Sequence, residues 1–376
     1  MHLLRQLLGY GNEAPKGGRS GPCGLDNALN NCYCNAVLQA LFTVAGFRTQ
    51  AIQMQNYEAE ISSALGRLYS RCDTGTGVQS ARNLLLRIYK QTDTFVLGDQ
   101  QDAHEFLTYL INTMMDEIKA LQKRHSLVLS SDYSSSDDMQ EEGRRGSSSG
   151  QHGALTPVEN ANPYKIGSTW VSQLFEGSLR SETTCHSCKT VTGTMEPFIT
   201  ISVDIFESCD IAHCIKQYCT AELLTGKNQF FCDTCHEYTD ASKRVVFEQL
   251  PPVLIVHLKR FMFTATCVDS NNNSVLCSDV RRLPYSVVTN RTITMESRRQ
   301  QKAVVYELFA VVSHVGTSPH YGHYVALAEL GGIWYACDDL YVSRVSNVSR
   351  RLGDEDTDGN PDSYIVFYRM RNTDAS

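Results

Sequence analysis

The stretch GLDNALNNCYCNAVLQAL (24–41) decides the reading of this chain. It sets Cys32 directly ahead of a helical pattern in which Val37, Leu38, Leu41, Phe42 and Ala45 fall on one face. A helix N-terminus carries partial positive charge on its free amides, and that favours the thiolate, the nucleophilic form of cysteine. About 290 residues later, YGHYVAL (321–327) supplies His323 and WYACDDLYV (334–342) supplies Asp338. Both runs read as strands, and Gly331-Gly332 between them reads as a hairpin turn that would bring imidazole and carboxylate together. These are the side chains and the chain order of a Cys–His–Asp hydrolase. The histidine takes or shares the thiol proton, and the carboxylate holds the imidazole in the useful tautomer.

The chain has 14 cysteines, many for a protein without an export signal, and spacing explains four of them. Cys185 and Cys188 in CHSC, and Cys232 and Cys235 in CDTC, form two C-x-x-C knuckles separated by 43 intervening residues. That pattern reads as a tetrahedral four-cysteine site for structural Zn²⁺; disulfides or unrelated thiols are the alternatives. His186 and His236 beside the knuckles read as surface residues. Most other cysteines read as small buried hydrophobes, Cys23 and Cys34 near the nucleophile among them.

Composition bounds the rest. With 376 residues, 42% hydrophobic and 20% charged, most of the chain should fold. A net charge of −7 with no concentrated basic face argues against nucleic acid. No apolar run approaches the ~20 residues that cross a bilayer, and MHLLRQLLGY is too short for a signal peptide. A cytoplasmic protein, with the nucleus as a second compartment, is the expectation. Residues 1–21 read as a flexible lead-in. Helical patterns follow at 51–70, 79–91 and 98–118, the last with Asp99 as its N-cap. Residues 126–160, rich in Ser, Gly and charge, read as a disordered insertion. From 167 onward short β-branched and aromatic runs dominate, and 371–376 is a tail. Helices first and strands later give an α+β class.

Three blocks then acquire a more specific meaning. GLDNALNNCYCNAVLQAL resembles the cysteine box of the ubiquitin-specific proteases. GHYVAL with WYACDD and SYIVFY resembles their histidine box, and QQDAHEFL (100–107) resembles the segment between the boxes. The resemblance runs in order from about Gly24 to Arg369. It implies a papain-like cysteine peptidase with thumb (about 22–125), palm and zinc-ribbon fingers (about 161–370). Carried over, Cys32 is the nucleophile, His323 the general base and Asp338 its orienting carboxylate, a role Asp339 could share. Asn27 matches the asparagine that stabilises the oxyanion. Asp102 and Glu105 match carboxylates that grip the arginine-bearing tail of ubiquitin, and Tyr324 a residue that narrows the tunnel to glycine. His314 falls by a ubiquitin-covering loop.

The partners implied are ubiquitin and ubiquitinated proteins. TWVSQLFEGSLRSETTC (169–185) is most similar to the small subgroup activated by WD-repeat proteins, which adds such an activator. Three positions depart from the family pattern: Leu29 stands where the family has glycine, Asn31 where it has threonine and Ala36 where it has serine. A glycine there suggests a positive-φ backbone that leucine tolerates poorly. A ubiquitin-binding scaffold without turnover, and a protease for a related modifier, therefore stay open beside the deubiquitinase.

Overall fold

The computed structural model describes residues 21–75, 77–133, 168–268, 274–300, 303–318, 321–354 and 358–371. The expected lead-in up to residue 20, the insertion from 134 to 160 and the tail beyond 371 lie outside the described residues.

The first half is helical: α1 (Cys32–Phe42), α2 (Ala45–Gln53), α3 (Glu60–Thr74), α4 (Arg82–Gln91), α5 (Ala103–Tyr133) and α6 (Trp170–Phe175). Helix α5 runs past the expected end at 118 into the segment read as disordered, because neither Gly nor Pro interrupts residues 103–133. Its N-cap is Asp102, not Asp99: Asp102 Oδ1 accepts from the amides of His104 at 2.7 Å and Glu105 at 3.0 Å. Further along α5, Glu117 takes the place of a cap for α3, accepting from the amides of Ile61 and Ser62, each at 2.8 Å.

The second half is mostly strand. Its first part holds β1 (Gly177–Cys185), β2 (Val191–Phe198), β3 (Thr200–Val203), β4 (Cys209–Asp210), helix α7 (Ile211–Tyr218) and β5 (Glu222–Leu224). Next come β6 (Phe230–Cys232), β7 (Glu237–Thr239), β8 (Ala241–Gln249), β9 (Val253–Leu258), β10 (Phe261–Val268) and β11 (Ser274–Arg282). The last part holds β12 (Val287–Val288), β13 (Thr292–Met295), β14 (Val304–Ser318), β15 (Tyr321–Leu330), β16 (Ile333–Asp338), β17 (Tyr341–Arg344), helix α8 (Val348–Leu352) and β18 (Ser363–Met370).

The large sheet runs β17-β16-β15-β14-β18-β9-β3, with β13 paired to β14. Its central strands are apolar on both faces, as a sheet covered on both sides requires. Along β9, Val253 and Ile255 join the core under the helices, while Leu254, Val256 and Leu258 join a second core that includes Ile211 and Ile215 of α7. Strand β18 alternates likewise, Ile365 and Phe367 against Val366 and Tyr368. Helix α1 sits between this sheet and α5. All eleven of its residues are buried, so burial extends round the whole circumference and takes in the polar Asn35 and Gln39 as well as the expected apolar face. Arg260, after β9, is also fully buried; its guanidinium donates to the carbonyls of Ser363, Tyr285 and Asn360, which ties three loops together.

A separate antiparallel sheet, β2-β1-β8-β5, carries CHSC at the end of β1, while CDTC follows β6.

Candidate active site

The hairpin β15–β16 places the histidine. Gly331 and Gly332 both have positive φ, at 61° and 79°, the conformation of a two-residue hairpin turn. The register pairs Ala326 with Cys337, and continuing it sets Val325 opposite Asp338. His323 lies two residues from Val325, on the same face and diagonal to Asp338. The contact follows: His323 Nε2 donates to Asp338 Oδ1 at 2.6 Å. The Cys32 thiol lies near the same ring and joins Asp338 in raising it. Gln100 adds a brace from the loop before α5, its Oε1 accepting from the amide of Gly322 at 2.8 Å.

Burial alone would push the His323 imidazolium down. The hydrogen bonds and charges of Asp338 and Cys32 outweigh it and raise His323 to about 10. The ring is therefore poised as an acid beside a buried sulfur at the first residue of α1.

The nucleophile loop is pinned to the turn after β16. Leu25 N–H donates to Asp339 O at 2.9 Å, and a Cβ on Gly24 would lie 2.3 Å from Leu340 O, so only glycine permits this approach. On the other side Gln79 N–H donates to Gly24 O at 2.8 Å, and Asp26 N–H to Gln79 O at 2.9 Å. The positive φ in this loop falls at Asn30 (52°), not at Leu29. Asparagine tolerates that region, so the expected conflict at Leu29 does not arise.

Asn27 Nδ2 donates to Asp339 Oδ2 at 2.8 Å, and Asn35 Nδ2 donates to Asp339 Oδ1 at 2.8 Å. Asp339 thus faces two carboxamides while Asp338 alone meets the imidazole. Burial raises the Asp339 carboxyl, and the Asn35 hydrogen bond opposes it. The sequence reading missed Asn35 and noted Asn31 only as a departure from the family's threonine; the one available signal was that Asn35 belongs to the cysteine box.

Other expected residues fall in varied places. Asp102 is half-buried, its Oδ1 spent on the α5 cap and its Oδ2 accepting from Tyr364 Oη; Glu105 is exposed on the first turn of α5. Tyr324 is buried on β15. His314 departs from the expectation of a covering loop. It is fully buried on β14, paired with Tyr324, its ring 4.5 Å from the Tyr324 ring and 5.5 Å from that of Phe261. Burial, with Arg282 nearby, lowers it to about 4, so it is neutral and shielded from a bound protein.

Cys34 is buried and its thiol is pushed well up by burial and by Cys32, as packing requires. Cys23 departs from that reading. It is disulfide-bonded to Cys72 of α3, with Cα atoms 5.4 Å apart.

Cys185, Cys188, Cys232 and Cys235 converge with all four sulfurs within 4.8 Å of one another. The Cys185–Cys235 and Cys188–Cys232 separations are 3.9 and 3.6 Å. A tetrahedron with metal–sulfur bonds of about 2.3 Å has edges of about 3.8 Å. Each knuckle is followed by a left-handed residue, Lys189 (φ 62°) and His236 (φ 58°), so the two turns match. These four thiols could hold a metal ion. His186 and His236 are exposed.

Comparison with known proteins agrees with this geometry. Residues 23–368 match the family described as ubiquitin carboxyl-terminal hydrolase. Ubiquitin carboxyl-terminal hydrolase 4 of Arabidopsis thaliana is 31% identical over 376 aligned residues, 96% of each chain. Ubiquitin carboxyl-terminal hydrolase 12 of Salmo salar is 29% identical, covering 93% of this chain and 89% of that one. Among solved structures, the fold is similar to a chain of the SAGA DUB module Ubp8/Sgf11/Sus1/Sgf73 bound to monoubiquitin, with a TM-score of 0.69 at 22% identity over 99% of this chain and 74% of that one. The same module bound to ubiquitin aldehyde gives 0.67 at 23% identity, over 99% and 75%. A cysteine at a helix mouth facing a histidine hairpin, in a chain so matched end to end, belongs to the ubiquitin carboxyl-terminal hydrolase family, the deubiquitinating thiol-dependent proteases.

Proposed function

We propose that this chain is an isopeptidase that cleaves the bond between the C-terminal glycine of ubiquitin and a substrate lysine, through Cys32, His323 and Asp338. The observation that carries the reading is the 2.6 Å hydrogen bond from His323 to Asp338, with a cysteine at a helix N-terminus near enough to shift the same imidazole. Cys32 Sγ attacks the glycine carbonyl, and the developing oxyanion meets amides of the first turn of α1 and the carboxamide of Asn27. His323 gives its proton to the leaving lysine amine. Water, activated by the neutral imidazole, then releases the acyl-enzyme and regenerates the thiol. The solved relatives bound to monoubiquitin and ubiquitin aldehyde support ubiquitin as the substrate here too.

The four-cysteine cluster would hold Zn²⁺ as a closed structural site, stiffening the fingers and taking no part in the chemistry. Glu105, exposed on the first turn of α5, suits an arginine-bearing tail; Asp102 serves mainly to cap α5 and anchor Tyr364. A WD-repeat activator, and a cytoplasmic and nuclear location, belong to the same proposal. A test is hydrolysis of isopeptide-linked di-ubiquitin beside fusions of related modifiers. Faster turnover of di-ubiquitin by at least tenfold is expected, and preference for another modifier would reassign the substrate.

The raised His323 sets the pH behaviour. Its ordinary value is near 6.5 and its folded value about 10, so the imidazolium and its stabilising contacts are complete below about 6.5 and lost as pH rises through 10. Turnover should hold through neutral pH and fall on the alkaline side near 10. Asp338→Asn should move that limb to lower pH, because it removes the largest influence that raises His323. An alkaline limb that does not move would remove Asp338 from its role.

A further inference from the structure

Under the catalytic loop runs a chain of side chains that the triad does not use. Asn31 Oδ1 accepts from Leu29 N–H at 3.2 Å; Asn31 Nδ2 donates to Asp26 O at 3.0 Å and to Asn35 Oδ1 at 2.9 Å. Asn35 Nδ2 donates in turn to Asp26 O and Asp339 Oδ1, both at 2.8 Å. Asp339 Oδ2 then accepts from Asn27 Nδ2. Asn31 and Asn35 are 1% and 2% exposed, so the bond between their carboxamides is made inside the protein. Both Nδ2 hydrogens of Asn31 and of Asn35 face acceptors, which leaves these two carboxamides one arrangement.

The row has a direction. Asn35 sits on α1, one turn after Cys32, and Asp339 sits after β16 with φ at 50°. The Asn35–Asp339 bond therefore ties the nucleophile's helix to the strand that ends in Asp338. With one oxygen held by Asn35, Asp339 offers the other to Asn27 and fixes that carboxamide in one orientation. Among the described residues only one Nδ2 hydrogen of Asn27 is taken, so the second stays available. Without Asn35 the carboxylate could turn, and Asn27 with it.

We infer that Asn35 is a positioning residue: by holding Asp339 it aligns the Asn27 carboxamide as oxyanion donor, with Asn31 in the family's threonine position bracing Asn35 from behind. This rests on the proposed oxyanion role of Asn27. Asn35 touches no reacting atom, so it acts through Asp339, and its effect should appear in turnover and not in binding.

The test is a double-mutant cycle on the full chain with isopeptide-linked di-ubiquitin. Asn35→Ala should lower kcat by about 100-fold, the scale of a ~1 Å misplacement, with KM nearly unchanged. Alkylation of Cys32 by iodoacetamide, which forms no oxyanion, should stay within about twofold of wild type. In an Asp339→Ala background, Asn35→Ala should cost little more, because the two act as one unit. Should Asn35→Ala fail to fold, the isosteric exchange carries the test. Asn35→Asp alone should be impaired, and adding Asp339→Asn, which restores a carboxamide–carboxylate pair in the reverse sense, should recover about tenfold. Additive losses in the cycle, or no recovery in the exchange, overturn the inference. Asn27→Ala at wild-type rate overturns instead the oxyanion role beneath it, so the two failures are distinguishable.

Discussion

His323→Ala is expected to lower kcat/KM for a ubiquitin isopeptide by about 10⁴-fold or more, with the fold intact. The magnitude follows from the parts the ring serves. Removing one member of a catalytic triad leaves only the residual rate that the oxyanion donors and substrate binding supply. In this chain the imidazole is both the partner of the Cys32 sulfur and the acid for the lysine leaving group, since Asp338 and Cys32 together hold it protonated to about 10. Its side chain is about a fifth exposed and its hydrogen bond to Asp338 stabilises the folded chain, so truncation should lower the melting temperature while the transition stays cooperative. Steady-state kinetics and a melting curve on one preparation check both halves. A loss below tenfold would mean that the hydrogen-bonded line through Asp338 is not the proton path.

The second large effect concerns the fingers. The protein is expected to bind one Zn²⁺ per chain, and Cys188→Ser or a strong chelator should remove it. Structural zinc of this type contributes about 10 kcal/mol or more to the fold it closes. The knuckles have little else to hold them. Around them β2 is exposed along nearly its whole length, from Val191 to Pro197, and Phe231 and Tyr238 are exposed as well. Loss of metal should therefore disorder the knuckles and leave the helices and the large sheet folded. For a ubiquitin substrate KM should rise by about tenfold or more, while iodoacetamide still alkylates Cys32 at the wild-type rate. Metal content by mass spectrometry and hydrogen exchange across 185–188 and 232–235 would read it directly. A protein that carries no zinc and still protects those knuckles would show that the four thiols serve another purpose.

The functional site was legible in the sequence wherever the chemistry is local or the motif is dense. Cys32 announces itself by standing before an apolar helix, and His323 with Asp338 by two strand-like runs meeting at Gly331-Gly332. The paired C-x-x-C knuckles needed spacing alone. Contacts that cross the chain were not legible. Nothing in the composition of NNCYCN says that Asn35 will bond a carboxylate 304 positions away, because a buried carboxamide and a surface one look alike in sequence. The concern over Leu29 failed for a related reason: the strained conformation moved one residue on, to Asn30, where asparagine accepts it and Asn30 Nδ2 reaches Gly98 O at 2.7 Å. His314 was placed by the resemblance beside a ubiquitin-covering loop, yet it lies inside β14 and an aromatic wall closes over its ring. Cys23 and Cys72 stand 49 positions apart with no motif linking them, so only the packing of the nucleophile loop on α3 brings them together.

The central claim, that Cys32 attacks the C-terminal carbon of ubiquitin, is most directly tested by intact-mass detection of a covalent adduct with ubiquitin bearing a C-terminal electrophile. Wild type should gain the mass of one ubiquitin adduct and Cys32→Ala should gain none. Labelling of Cys32→Ala, or an unlabelled wild type even with a WD-repeat partner present, would contradict the account.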